Sequence, residues 1–428
     1  MATTTDLSLR NQMIYCVYVR NYGRIGNFKE VKSDLDRIQK LGADIVWLLP
    51  IHPIGHFGRK GMLGSPYAVA DYYKVNPEYG TMDEFTQLVD AIYDHGMKCM
   101  MDMVFNHTAK DSVLMKQHPE WFIQDEHGQP TTLVPEWSDI VDLDFSKTQL
   151  WDYLIEVLKY WAMYADGFRC NMACKIPLEF WEKARKEVDM IRPGCIWLAE
   201  SGEGAFIRRL RKEGKTALSD SELYQVFDMC YDYDLKHAID EVHSGAFPLE
   251  AFSNALQLQE SSFPDNYVKL HALEDHSRAR AAMLYPEGRA LRNMTAFSYF
   301  EKGAVLICNG QEKSDVHRPS LFEKDDVNWR HEDMTAFMQQ LKRIKEEEIY
   351  REGTFEVTAL KEEYLYATYT WKEMRRIGIF SVTGKTGVIP TDLPDGTYTN
   401  QITRNPVEVC GGLLLFSGEP VIIEYNVK

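Results

Sequence analysis

From residue 13 to about residue 350, short apolar runs alternate with segments whose apolar residues recur every three or four positions. The apolar runs are "MIYCVYV" (13–19), "DIVWLL" (44–49), "KCMMDMVF" (98–105), "GFRC" (167–170), "IWLAE" (196–200), "YQVFD" (224–228), "VKLHAL" (268–273) and "AVLICN" (304–309). They are continuous rather than alternating, as expected of strands covered on both faces. Between them, "FKEVKSDLDRIQKLG", "TMDEFTQLVDAIYDHG", "LWDYLIEVLKYWAMYA" and "PLEFWEKARKEVD" carry helical spacing, and the first two stop at glycine. Eight such strand–helix units predict a closed parallel (β/α)8 TIM barrel. A doubly wound open sheet is the competing arrangement, and it does not usually need eight units.

Two stretches break this rhythm. From Thr108 to about Phe145 the chain carries Pro, Trp and Asp with little periodicity, which predicts a small functional insert after strand three. Beyond residue 351 the pattern becomes two-residue alternation, in "TFEVTAL", "YLYATYTW", "RRIGIFSV", "GLLLFS" and "PVIIEYNV", with turn signals "PDG" and "CGG". These predict a barrel from 1–107 and 146–350, an insert at 108–145 and an antiparallel β-sandwich domain at 351–428.

Composition narrows the function classes. A net charge of −16 over 428 residues argues against nucleic acid, which needs clustered Lys and Arg, and fits a neutral substrate. The 8 cysteines are scattered, several inside strand-like runs, and read as reduced buried thiols. Cys170 and Cys174 have no matching second pair, so zinc is not expected. The N-terminus lacks a basic start and an apolar run, and no stretch is long enough to span a membrane, so a cytoplasmic protein without membrane partners is expected. A homo-oligomer is left open.

In a barrel of this kind, chemistry gathers at the C-terminal strand ends. Strand three ends in Asp102, Asn106 and His107; strand four in Arg169 and Asn171; strand five in Glu200; strand seven in Glu274, Asp275, His276 and Ser277. A lone histidine at a strand end is more often a structural donor than a ligand. Several polar clusters on successive strand ends are harder to set aside.

These strand ends resemble the motifs of the α-amylase family of retaining glycoside hydrolases (family 13). "DMVFNH" resembles its first motif, "GFRCN" its second, "WLAES" its third and "LEDHS" its fourth; "GSPYAVADYYKVNPEYGTMDEF" and "ICNGQE" resemble further signatures. The resemblance runs across nearly the whole chain, insert (domain B) and C-terminal domain (domain C) included. It implies Glu200 at the acid/base position and Tyr67, His107, Arg169 and His276 around the sugar. Tyr67 resembles the aromatic on which the family stacks a glucose. It also implies an α-linked glucan or maltooligosaccharide as the ligand. No cofactor is required by the chemistry, and calcium is an option because Asn106 resembles a family calcium ligand.

Two departures matter more than the matches. The nucleophile position, two residues after Arg169, is Asn171, and the stabilising position after His276 is Ser277. Retaining hydrolysis needs a carboxylate about 5 Å from the acid to form a glycosyl ester. An amide cannot attack, and loss of an electrostatic stabiliser alone typically costs about 10²–10³ in rate. The expectation is a pocket that binds sugar without hydrolysing it. An enzyme rewired around Glu200 with Asp275, Asp102 or Asp228, or an engineered inactive hydrolase, are the alternatives.

Overall fold

The computed structural model describes residues 4–134, 136–243 and 245–426. Eight parallel strands close a barrel: β1 (Met13–Val17), β2 (Ile45–Leu48), β3 (Lys98–Val104), β4 (Gly167–Asn171), β5 (Ile196–Ala199), β6 (Met229–Tyr231), β7 (Val268–His271) and β8 (Gly303–Cys308). Each strand neighbours the next in sequence and β8 returns to β1, as right-handed βα units require. The polar strand ends are fixed by register: Asp102 sits opposite Arg169, and Arg169 opposite Leu198. Gly167 opens β4 where a Cβ would come 2.8 Å from the Ile196 carbonyl oxygen, so a bare backbone lets β4 and β5 approach.

The sixth strand lies later than its apolar run predicts. Ser219 and Glu222 form a capping box that starts a helical turn at Asp220–Leu223, and the turn carries Val226 and Phe227 into the core. The run "YQVFD" is apolar because that turn is buried, and strand pairing begins only at Met229.

By cluster of contacts the chain divides into two compact units: Met1–Thr4, Ile14–Tyr231 and Arg318–Val327 form one, and Thr5–Met13, Asp232–His317 and Asn328–Lys428 the other. In the first unit, the segment predicted as one helix is two, α1 (Phe28–Ser33) and α2 (Leu35–Leu41), broken at Asp34, whose carboxylate takes the Arg37 guanidinium. Helix α3 (Met82–Asp94) begins on a capping box: the Thr81 hydroxyl accepts the Glu84 N–H at 3.2 Å and the Glu84 carboxylate accepts the Thr81 N–H at 2.9 Å. Phe85, Leu88, Val89 and Ile92 bury its inner face. Helices α4 (Thr148–Trp161) and α5 (Leu178–Asp189) stand in the predicted places, and Trp181 of α5 packs edge-on against Trp197 of β5 at 6.4 Å. The insert folds around a two-stranded ribbon, His107–Ala109 paired with Ile140–Asp142.

In the second unit, eight antiparallel strands form two sheets. One orders β9 (Thr354–Leu360), β10 (Tyr364–Trp371), β11 (Met374–Ser381) and β16 (Val421–Asn426); the other orders β12 (Gly387–Pro390), β15 (Leu413–Phe416), β14 (Pro406–Cys410) and β13 (Gly396–Thr399). Ile377, Ile379 and Ile423 from the first meet Ile389, Val409, Leu414 and Phe416 from the second in one core, which makes the pair a sandwich. The last predicted strand ended at Val427, which lies outside the described residues. Helix α6 (Leu249–Ser262) is tied to β9 by Gln257, whose side-chain Oε1 accepts the Val357 N–H at 3.0 Å. All 8 cysteines are free thiols; Cys410 alone among them is exposed. Among the described residues no helix is long and apolar enough to cross a membrane.

Candidate active site

Strand alternation sends Arg169 and Asn171 to the same face of β4, two residues apart. Arg169 is fully buried. Its guanidinium meets Asp102 Oδ1 at 3.0 Å and Glu200 Oε1 at 2.8 Å, with the rings of Trp47, Tyr67 and Tyr231 at 5.3, 5.8 and 5.6 Å. Burial opposes its charge, but the two carboxylates hold the proton on firmly. Tyr67 donates its hydroxyl to Asp102 Oδ2 at 3.0 Å. Burial, with Glu200 nearby, pushes the Asp102 carboxyl up to about 7 against Arg169 and Tyr67.

Glu200 follows β5 directly, its N–H held by the Cys170 carbonyl at 3.0 Å. Asn171 Nδ2 donates to Glu200 Oε2 at 2.7 Å, and the Met172 N–H donates to the same oxygen at 2.7 Å. Met172 reaches it from a left-handed conformation, φ 45°, uncommon outside glycine. Both oxygens of Glu200 therefore face donors. Asn171 and Glu200 are thus hydrogen-bonded neighbours at the ends of adjacent strands.

His107 joins this cluster to the insert. Its Nε2 lies 3.0 Å from the Tyr67 carbonyl, which can only accept, so Nε2 carries the proton. Nδ1 is then the acceptor for Asn106 Nδ2 at 2.8 Å. Burial, then the charge of Lys175, holds the ring down at about 3, so His107 stays neutral. With that tautomer fixed, Asn106 Oδ1 is left buried without a hydrogen-bond donor.

The residues around Asn106 do not fit calcium. A cavity of ≈ 390 Å³ is lined by Asn106, Leu133, Asp142, Leu143, Lys175 and Lys215, among others. Calcium takes six to eight oxygens. Here Asn106 Oδ1 and Asp142 Oδ1 lack donors, but the Lys175 ammonium already stands 3.9 Å from Asp142 Oδ1. Among the described residues no group of three or more His, Cys, Asp or Glu could hold a metal.

His276 and Ser277 belong to the second unit, on the segment after β7. There Asp275 Oδ1 accepts the Ser277 N–H at 2.7 Å, the Ser277 hydroxyl at 2.6 Å and the Arg278 N–H at 2.9 Å. Burial works against its ionisation, but Arg278, His276 and Ser277 outweigh it and hold the carboxyl at about 2. Asp275 is thus an internal cap of its own loop. Asp228 is similarly committed, to Arg185 at 2.8 Å and the Trp197 N–H at 2.9 Å.

The first unit thus brings together Tyr67, His107, Arg169, Asn171 and Glu200, with Asn106 behind His107. Sequence reasoning missed Trp47, whose apolar run reads only as core, Tyr231, which lies beyond the sixth run, and the Met172 N–H, which no side-chain pattern reports. It also missed Lys175 and Asp142, which are 33 positions apart in the numbering yet line one cavity.

Residues 16–139 match the family described as "Alpha amylase, catalytic domain", and residues 356–423 match "Bacterial Alpha amylase C-terminal domain". Among solved structures, the chain is similar to an α-amylase from Lactobacillus plantarum, at 45% identity and a TM-score of 0.96, covering 98% of this chain and 100% of that one. It is also similar to a maltogenic α-amylase, AmyB, from Thermotoga neapolitana, at 30% identity and a TM-score of 0.87, covering 98% and 100%. Alpha-amylase MalA of Haloarcula japonica is 26% identical over 338 residues, which are 76% of this chain and 47% of that protein. The chain spans less than half the length of the curated relatives it matches.

Proposed function

The chain belongs to the α-amylase family, and for a member built in this way we propose an α-glucan-binding protein that does not hydrolyse its ligand by the retaining route. The observation that carries this reading is the bond from Asn171 Nδ2 to Glu200 Oε2 at 2.7 Å. An amide at the nucleophile position has no oxygen nucleophilic enough to form a glycosyl ester. It also occupies the acid as a hydrogen-bond partner, with Arg169 on the other oxygen. Ser277, exposed and donating to Asp275, adds no negative charge to support an oxocarbenium ion.

Binding draws on different chemistry. Tyr67 offers a half-buried ring and Glu200 a slightly exposed polar edge, held from behind by the fully buried Arg169, a pairing suited to a neutral pyranose. The carboxylates available for a rewired reaction are each engaged: Asp102 by Arg169 and Tyr67, Asp228 by Arg185, Asp275 by its own loop.

The test pairs titration calorimetry of maltooligosaccharides with turnover of starch and of an activated aryl α-glucoside. The activated substrate needs little proton donation and isolates the missing nucleophile. Heat of binding without turnover, with or without added azide or formate, is the expected result. Asn171→Asp with Ser277→Asp should recover hydrolysis where Asn171→Asp alone recovers little. Brisk turnover by the unaltered chain would overturn the reading.

A further inference from the structure

We propose that Lys175 serves as a resident cation that takes the structural place of a metal ion between the end of β4 and the insert, so that this fold needs no calcium. The inference does not depend on the proposed glucan binding.

The argument begins with three buried polar atoms that have no hydrogen-bond partner: Asn106 Oδ1, Asp142 Oδ1 and Lys175 Nζ. Two are acceptors and one is a triple donor, so the set is chemically complementary. They line the same cavity of ≈ 390 Å³. The Lys175 side chain is 8% exposed and that of Asp142 is 3% exposed, and their charged atoms stand 3.9 Å apart. That gap is short enough for a small rotation of the flexible lysine stem to close it.

The orientation of Asn106 is not arbitrary. The Tyr67 carbonyl forces the proton onto His107 Nε2, which turns Asn106 Nδ2 toward Nδ1 and Oδ1 into the cavity. An oxygen pair is thereby presented to a cation, and the cation is already attached to the chain. Lys175 is reached through the short turn Ala173–Lys175 that follows the Met172 kink. From there its ammonium also lies 5.0 Å from the ring of Trp137, a residue of the insert. One side chain thus ties β4 to two points of the insert, the role a bridging metal would fill.

A divalent ion would meet a like charge here. Lys215 lines the same cavity and adds a second ammonium, itself paired with Glu213 at 2.7 Å. Asp144, Ser146 and Thr216 also line the cavity, but its two unpartnered oxygens, on Asn106 and Asp142, share it with two lysines, a poor offer to an ion that takes six to eight oxygen ligands.

The test uses the whole chain and thermal melting. Excess EDTA and millimolar calcium should each leave the wild-type Tm unchanged, and terbium added to the wild type should give no tryptophan-sensitised luminescence. A calcium-dependent rise in Tm, a fall with EDTA, or a terbium signal would overturn the proposal without any variant. Lys175→Met should lower Tm by roughly 2 °C or more, since a modest loss shifts Tm by about 2–4 °C in chains of about 150–250 residues and by less in a longer one. Asp142→Asn with Lys175→Met should lose less than the sum of the single changes, the mark of a direct pair. An unchanged Tm for Lys175→Met, or strict additivity, would overturn it equally. Should Lys175→Met fail to fold, the metal titrations of the wild type decide alone.

Discussion

The Glu200 cluster and the Lys175 cavity sit on either side of His107, and they solve the same problem in opposite ways. Around Glu200 every carboxylate oxygen meets a donor: Arg169, Asn171 and the Met172 N–H on Glu200, Arg169 and Tyr67 on Asp102. Around Lys175 three buried polar atoms meet none. The first arrangement gives each of these acceptors a donor or a cation, while Arg169 Nε and Nη2 themselves make no hydrogen bond and Nη2 meets Glu200 as an ion pair. The second keeps charge complementarity but leaves distance for solvent. A site where the acid is saturated in the free protein is organised to hold, and one that is unsaturated is organised to admit a small bridging group.

The largest expected effect comes from breaking the saturated side. Arg169→Met strands Asp102 and Glu200 without their shared cation, and should destabilise the protein by about 3–5 kcal/mol in urea unfolding. A loss below about 1 kcal/mol would mean the network is not the tie it looks to be.

The next effect is one of pH, and it tests the junction. His107, at about 3 when folded against an ordinary 6.5, contributes stability present above pH 6.5 and lost as pH falls toward 3. His52, fully buried and held at about 4, acts in the same sense. Asp102 acts oppositely: raised to about 7, it contributes stability present below its ordinary 3.8 and lost as pH rises through 7. The clean measurement is therefore a difference. Between about pH 7.5 and about pH 5.5, wild type should lose roughly 1–1.5 kcal/mol more than His107→Gln does. Parallel pH curves for the two proteins would show that His107 is not held neutral.

A third test changes saturation into conflict. Asn171→Asp sets a second carboxylate against Glu200 Oε2, so one of the two takes up a proton. The acid with the raised value adds stability below its ordinary range and loses it as pH rises. The variant should thus be weaker than wild type by roughly 1–2 kcal/mol near pH 8, with most of the deficit gone near pH 5. A pH-independent deficit would point to a steric cause instead. Smallest is Ser277→Ala, which removes one exposed hydroxyl from Asp275 while the two N–H donors remain. Its melting temperature should correspond to a change of no more than about 0.5–1 kcal/mol, and a larger loss would assign the loop a wider role.

Much of this was legible in the chain before its structure. Seven of the eight barrel strands lie where their apolar runs stand, because a strand buried on both faces has no way to hide its composition. The sixth misled because a buried turn at Tyr224–Phe227 is as apolar as a strand. Strands β12, β13 and β14 carry no strand signal: Gly387, Pro390, Gly396 and Pro406 are turn-like residues, and much of each strand is exposed. At the site, positions were readable but contacts were not. That Asn171 occupies a carboxylate's place follows from spacing after Arg169; that its amide grips Glu200 requires the backbone twist at Met172. Lys175 stands in plain view in "DGFRCNMACKIP", yet its meaning depends on Asp142, contributed by a loop with no periodicity to announce it.

The lone exposed thiol has a practical corollary. Seven cysteines lie buried and Cys410 stands on the surface of the second compact unit, so a maleimide dye has one accessible address on the native protein. The fully buried Trp47, Trp161, Trp181 and Trp197 all belong to the first unit and fluoresce from its core. With Trp329 and Trp371 of the second unit changed to Phe, dye and tryptophan emission provide two colours, one for each unit. Melting curves recorded in both would reveal whether the two halves of the molecule let go together.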